Sequence, residues 1–366
     1  GAFDLGGLNG SNGFAIDGLN AQDSFGIGLG SGDINGDGFS DLLIGAPLGD
    51  GGGNASGAAY VIYGTSSEFA TPLAVSALNG TNGFRIDGAA AGDNLGWSLA
   101  SGSDFNGDGL QDFVIGAIGA NDERGRSYVV FGRSQGFGAE LDLGTLDGTN
   151  GFRLDDSTAQ AAAGASVSLL GDLNGDGFDD LLIGAPSRTT DPGRAYVLFG
   201  QAGGFAANID LGTLNGTNGF RLDGVASLDR AGQSVAGAGD VNGDGFDDLI
   251  VGALRADANG VETGGAYVVF GHGGSFGASL SLGALDGSNG LVLQGVGSGD
   301  RTGVPVAGLG DVDGDGFADV LVGAPRADGA QTDSGAGYVV LGRDFTGDVR
   351  FVGGDGDDVF HGAQGD

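Results

Sequence analysis

A nine-residue pattern, D-x-[ND]-G-D-G-x-x-D, begins at Asp33, Asp104, Asp172, Asp240 and Asp311, at intervals of 71, 68, 68 and 71 residues. Self-similarity at a fixed period marks a fold built by stacking one supersecondary unit. It also changes what composition means. The 84 glycines and 6 prolines among 366 residues would point to disorder in a chain without a period. Around each acidic loop the same neighbours recur: a small-residue segment such as "LGWSLASG" (95–102) before it, then an apolar run such as "DLLIGAP" (41–47), then "GAAYVIYG" (57–64) or a relative. A segment like "GTNGFRIDG" (80–88) completes the unit, with relatives at 10–18, 148–156, 216–224 and 287–295.

Each unit reads as four short strands separated by Gly, Asn and Asp turns: A ("GWSLA"), B ("DLLIG"), C ("AYVIYG") and D ("GFRID"). The unbroken apolar runs of B and C imply burial on both faces, and the small residues of A suit a crowded place. Four-stranded units that cannot bury both faces alone must stack, and the radial arrangement is a β-propeller. The expected fold is all-β, with five four-stranded blades over residues 1–345. The chain opens with a D segment (13–18) that lacks A, B and C, and its repeats close with A, B and C (304–342) that lack D. Residues 13–18 are therefore expected beside 335–342, completing the last blade and closing the ring. An open solenoid is the alternative, and it has no use for that offset.

The acidic loop places side-chain oxygens at positions 1, 3, 5 and 9 and offers the carbonyl of position 7, the first part of an EF-hand pattern without its twelfth-position Glu. The candidate ligands are Asp33, Asn35, Asp37, Phe39 and Asp41; Asp104, Asn106, Asp108, Leu110 and Asp112; Asp172, Asn174, Asp176, Phe178 and Asp180; Asp240, Asn242, Asp244, Phe246 and Asp248; and Asp311, Asp313, Asp315, Phe317 and Asp319. Gly36 and Gly38 permit the positive φ angles that curl a chain around an ion. Hard oxygens in a flexible ring suit Ca²⁺ better than the tighter octahedron of Mg²⁺, and without a cation three carboxylates would face one another. Ordinary turn formation is the bland alternative, and fivefold recurrence in register weighs against it. Asp313 stands where the other loops have Asn, so the fifth site is expected to bind most tightly.

The stretch "FGIGLGSGDINGDGFSDLLIGAP" followed by "GAAYVIYG" resembles the FG-GAP repeat of integrin α-subunit β-propellers and their bacterial relatives. That resemblance implies that the A–B loops bind calcium on one face and that ligands are taken by the other. Family propellers have about seven blades, within the usual range for the architecture, against five here. "FG" survives only at Phe25-Gly26, and "GAP" becomes "GAI" (116–118) and "GAL" (252–254). The tail segment "GGDGDDVFH" (353–361) resembles the nonapeptide of RTX calcium-binding rolls. Residues 346–366 are thus expected to begin an RTX-like segment of a large secreted or surface-attached bacterial protein.

A net charge of −34 and a pI near 4.1 argue against nucleic acid and anionic membranes as partners. Apolar runs of four or five residues fall far short of the ~20 that span a bilayer, and no signal peptide is visible at the "GAFDLGG" start. All 14 basic residues are Arg, and there is no Cys. Several Arg lie in the B–C loops, which vary most between repeats: Arg124, Arg126, Arg188, Arg194, Arg255 and Arg326. They suit an acidic glycan or protein carboxylates, unless each pairs with a neighbouring acid, as Arg124 could with Asp122 or Glu123. Asp23, Asp93, Asp229 and Asp300 recur in the D–A turn, with Gln160 in the third repeat, and read as turn caps. The lone tryptophan, Trp97, reads as packing in strand A before it reads as a sugar platform.

The leading expectation is a calcium-stabilised, non-catalytic binding or adhesion module outside the cell, a monomeric domain of a larger protein presenting one loop face to a glycan or protein. A structural spacer is the alternative. A propeller hydrolase or lyase is less expected, because catalysis needs one site to break the repeat symmetry with tuned groups, and no such break is visible.

Overall fold

The structure, a computed structural model, describes residues 3–257, 261–328 and 331–345. The RTX-like segment at 346–366 lies outside the described residues. The chain forms two compact units. The first comprises Gly1–Leu169, Ile183–Thr189 and Gly200–Leu214; the second comprises Leu170–Leu182, Thr190–Phe199 and the chain from Asn215 onward.

In the first unit, repeat 1 forms strands A (Leu29–Gly32), B (Asp41–Ala46), C (Ala58–Ile62) and D (Gly83–Asp87), each antiparallel to the one before it in the sheet. Repeat 2 does the same with Leu95–Ser103, Asp112–Ala117, Arg126–Val130 and Gly151–Asp155. In the second unit, repeat 4 uses Ala231–Gly239, Asp248–Ala253, Gly265–Val269 and Gly290–Gln294. Repeat 5 supplies Val306–Gly310, Asp319–Ala324 and Ala336–Val340. The division between units runs through repeat 3, whose strand A (Ser166–Leu169) belongs to the first unit, while C (Arg194–Leu198) and D (Gly219–Asp223) pair in the second.

The buried-on-both-faces reading of B is borne out: every residue of Asp112–Ala117 and Asp248–Ala253 is buried. Aromatic side chains extend this core. Phe84 of strand D is fully buried and stacks on Phe137 with ring centroids 4.4 Å apart, and Phe220 stacks on Phe276 at 4.7 Å. The two halves of the repeat motif also explain each other. A Cβ on Gly45, the glycine of "IGAP", would strike the carbonyl oxygen of Gly96, the glycine of the next repeat's "LG", and Gly252 meets Gly303 in the same way. Only a side chain of one hydrogen lets strand A of one repeat pass so close to strand B of its neighbour.

Two features were not anticipated. Among the described residues a short strand follows strand C of repeats 1 to 4 and pairs in parallel with an earlier strand D, as Glu140–Leu141 does with Arg85–Ile86 and Ser279–Ser281 with Arg221–Asp223. A one-turn 3₁₀ helix comes next, such as Leu143–Thr145, whose Asp142 cap accepts the Gly144 amide at 2.8 Å. The strand that forms within 13–18 is Ile16–Asp17, and the partner seen for it is Leu73–Ala74 in this parallel mode, not 335–342. The reason lies in its two edges. Strands D of repeats 1, 2 and 3 each have an outer edge that takes the short parallel strand and an inner edge that takes strand C. The structure fills the outer edge of Ile16–Asp17, and pairing through the inner edge stays a proposal.

Candidate metal centres and the opposite loops

The A–B hairpin ends where strand register brings position 9 opposite the residue before position 1: Gly32 faces Asp41, and Gly239 faces Asp248. Within the first loop the acids fold back on the main chain. Asp33 Oδ1 accepts the Asp37 amide at 3.1 Å, Asp33 Oδ2 accepts the Gly38 amide at 2.8 Å, and Asp37 Oδ1 accepts the Phe39 amide at 2.9 Å. Gly36 and Gly38 have φ of 71° and 87°, as the curl requires. The loops at 104, 172, 240 and 311 repeat these bonds.

Position 9 is different in kind. Asp41, Asp112, Asp180, Asp248 and Asp319 are all fully buried. In Asp41 one oxygen accepts the Ile34 amide at 3.1 Å and the other the Gly64 amide at 2.9 Å, and in Asp112 the donors are Phe105 and Gly132. The residue ties the first turn of the loop to the end of strand C. A carboxylate has about four acceptor positions, so this tie leaves capacity for a cation. Burial pushes Asp41 up to about 6, Asp112 up to about 7 and Asp248 up to about 8; backbone N–H bonds oppose the shift, and the loop's other acids add to it. A positive charge is what such a site lacks.

In the first four loops the position-3 Asn also softens the charge, donating its amide to position 5: Asn35 to Asp37 at 3.0 Å and Asn242 to Asp244 at 2.9 Å. Asp313 cannot donate. Carboxylate oxygens of Asp311, Asp313 and Asp315 all lie within 4.8 Å of one another. Burial raises the pKa of Asp315, with the Asp313 and Asp311 charges adding. This donor set, all hard oxygens around concentrated negative charge, fits a divalent cation.

Positions 7 and 8 of the second and fourth loops carry a contact that the sequence pattern did not reveal: they reach onto the preceding loop. The Asp33 amide donates to Gln111 Oε1 at 2.7 Å, and the Asp172 amide donates to Asp247 Oδ2 at 3.0 Å. Position 8 is Ser40, Gln111, Asp179, Asp247 and Ala318 in turn, so no repeated residue flagged it.

The B–C and D–A loops lie at the other end of each sheet. Arg126 and Arg194 begin strands C and are held there, Arg126 by Asp155 at 2.6 Å and Arg194 by Asp191. Arg188 faces Glu123 at 3.7 Å and Arg255 faces Glu262 at 3.5 Å. Glu123, one of the two acids suggested for Arg124, is therefore taken by Arg188. Among the described residues, the side chains of Arg124 and Arg326 have no such acid. The turn acids act as caps: Asp93 accepts the Ala90 amide at 3.0 Å, Asp229 the Ala226 amide at 2.8 Å and Asp300 the Gly297 amide at 2.9 Å. Trp97 sits at the bulge of its strand, between Leu95 and Ser98, and is 38% exposed. No helix among the described residues is long and apolar enough to cross a membrane.

Comparison with known proteins matches the FG-GAP repeat family five times, at residues 25–62, 95–130, 163–198, 231–269 and 305–341. Integrin alpha-5 of Xenopus laevis is 32% identical over 242 residues, 63% of this chain and 20% of that protein. Integrin alpha pat-2 of Caenorhabditis elegans is 31% identical over 257 residues, 65% of this chain and 18% of that protein. Phosphatidylinositol-glycan-specific phospholipase D of Bos taurus is 32% identical over 178 residues, 46% of this chain and 20% of that protein. The chain thus spans about a fifth of the length of these curated relatives.

Proposed function

Because the chain belongs to the FG-GAP repeat family, whose repeats form a β-propeller, we propose that it is a calcium-stabilised, non-catalytic binding or adhesion module of an extracellular bacterial protein. Each of the five A–B loops holds one Ca²⁺ through the side chains at positions 1, 3, 5 and 9 and the carbonyl at position 7. Bound calcium supplies the positive charge that the clustered carboxylates lack. The observation that carries this reading is Asp248, fully buried, pushed up to about 8 and surrounded by its own loop's acids. The ligand, a glycan or a protein, meets the B–C and D–A loops, where Arg124 and Arg326, paired with no acid among the described residues, suit bidentate contacts with carboxylates. Glycan and protein arrays probed with calcium and with chelator test it: calcium-dependent hits are expected, and silence in both conditions rejects the binding role.

A structural spacer within a larger RTX protein is the second reading, favoured by the pairing of Arg126, Arg188, Arg194 and Arg255 with acids. The support for catalysis is the phospholipase D relative, one fifth of which is matched.

Closure by the N-terminal strand belongs to the same proposal. Leu5 is 74% exposed, whereas its counterparts Leu143, Leu211 and Leu282 are 7%, 1% and 0% exposed. The second unit carries a cleft of about 300 Å³ lined by Val292, Val296, Val322, Tyr338 and Val340, apolar enough to receive such a segment. Asp17→Cys with Ala336→Cys, in a chain otherwise free of Cys, tests closure: a disulfide within the monomer is expected, and free thiols reject it.

A further inference from the structure

We propose that acidic loops neighbouring one another within a unit load their cations cooperatively, because positions 7 and 8 of one loop clasp the loop before it, and that Asp247 is the positioning residue between the third and fourth loops. The proposal rests on the cation reading above and concerns how the sites act on one another.

The clasp in the second unit has four parts. The Asp172 amide donates to Asp247 Oδ2 at 3.0 Å, and the Asp247 amide donates back to the Asp172 carbonyl at 3.2 Å. The Phe246 ring lies on Gly175 so closely that a Cβ there would strike it. Just past the end of strand C, the His272 amide donates to the Leu173 carbonyl at 2.9 Å. The first unit repeats the arrangement with different residues. Gln111 caps the Asp33 amide, Leu110 lies over Gly36, and the Arg133 amide donates to the Ile34 carbonyl at 3.0 Å. Side chains as unlike as Gln and Asp thus serve one purpose, capping the amide of the first residue of the preceding loop.

The coupling follows from where these residues sit in their own loop. Phe246 offers its carbonyl, and Asp248 its carboxylate, to the fourth site. Asp247 lies between them, so filling that site fixes Phe246, Asp247 and Asp248 together. Once fixed, Asp247 and Phe246 hold Asp172 and Gly175 in the shape the third site needs. By linkage the effect is reciprocal: filling the third site favours the fourth by the same factor.

The fifth loop provides an internal contrast. Ala318 occupies position 8 there and has no side-chain acceptor. The Ala318 amide still donates to the Asp240 carbonyl at 2.9 Å, and Phe317 still lies on Gly243. Coupling between the fourth and fifth loops is accordingly weaker than between the third and fourth.

The test is hydrogen exchange of the full chain, read by mass spectrometry across a calcium titration, following peptides over 172–180, 240–248 and 33–41. In Asp244→Ala, which disables the fourth site, the calcium midpoint for protecting 172–180 rises by at least about fivefold, the lower end of typical coupling. Asp247→Ala, which removes no ligand, raises the same midpoint and leaves 33–41 unmoved, and it keeps the test open should Asp244→Ala fail to fold. Asp247→Asn retains the acceptor and restores the wild-type midpoint, which a general loss of stability would not do. Independent titration of 172–180 in both Ala variants overturns the coupling alone. Absence of calcium-dependent protection in the wild type overturns the cation reading and the coupling with it.

Discussion

Gly271 donates its amide to Asp248 Oδ1 at 2.9 Å across 23 residues of sequence, while Val241 donates to Oδ2 at 2.9 Å. One buried carboxylate therefore holds the acidic loop against the far end of strand C. Replacing it leaves two buried N–H donors without partners, each costing about 1–3 kcal/mol. Asp248→Ala should lower stability by about 2–6 kcal/mol in calcium. Asp248→Asn, which keeps one acceptor, should fall between the two. Chemical denaturation in calcium checks the order, and an Ala variant as stable as wild type would remove position 9 from the architecture.

The contact between Gly252 and Gly303 gives a second expectation. Gly252→Ala places a methyl against the Gly303 carbonyl oxygen with main chain on both sides, so neither can rotate away. Overpacking of this kind costs about 1–3 kcal/mol. The loss should appear with and without calcium, because the contact lies in the strands and not in the loop. A melting temperature unchanged in both conditions would show that the strands yield more easily than their spacing implies.

Asp229 gives a pH dependence away from the cation loops. Burial raises its pKa, the Ala226 amide opposes that shift and the Asp257 charge adds to it. Above the ordinary carboxylate range the folded state therefore holds this proton more often than the unfolded chain does, so the group's contribution to stability falls as pH rises. Asp229→Asn keeps an oxygen for the Ala226 amide and removes the titration. As pH rises above the ordinary carboxylate range the variant should lose less stability than wild type, measured by denaturant unfolding at fixed ionic strength. A steeper loss in the variant would reverse the sign of the argument.

The repeat was legible because its constraints recur. The same strand pattern and the same glycines appear in each copy, and B strands such as Asp112–Ala117 are buried as their unbroken apolar run implies. The short parallel strands were not legible. Glu140–Leu141 has only two residues, too few for a period, and its partner Arg85–Ile86 lies 55 residues away in sequence. The pairing of Arg188 with Glu123 was hidden for a related reason: it joins the B–C loops of two different repeats, and sequence proximity favoured Arg124 instead. Gln111 and Asp247 were missed because only their oxygen is shared. Whatever the fold achieves through identical residues shows in the sequence; what it achieves through a shared atom in different side chains does not.

Asp313 is where the repeat departs from its own pattern, and the departure predicts opposite effects with and without cation. In the other loops a position-3 Asn donates to position 5, as Asn174 does to Asp176 at 2.9 Å. In the fifth loop the Asp315 amide still donates to Asp313 Oδ1, at 3.3 Å, but the donor toward position 5 is gone and a third nearby charge replaces it. Without calcium that charge repels Asp311 and Asp315. With calcium it becomes an added anionic ligand. Asp313→Asn should therefore raise stability slightly in chelator, by less than about 1 kcal/mol because the cluster is exposed, and weaken calcium binding at the fifth loop. Calorimetric titration of wild type and variant, paired with melts in chelator, reads both signs. If the variant binds calcium as tightly as wild type, the extra carboxylate does not face the ion, and the fifth loop is no tighter than the other four.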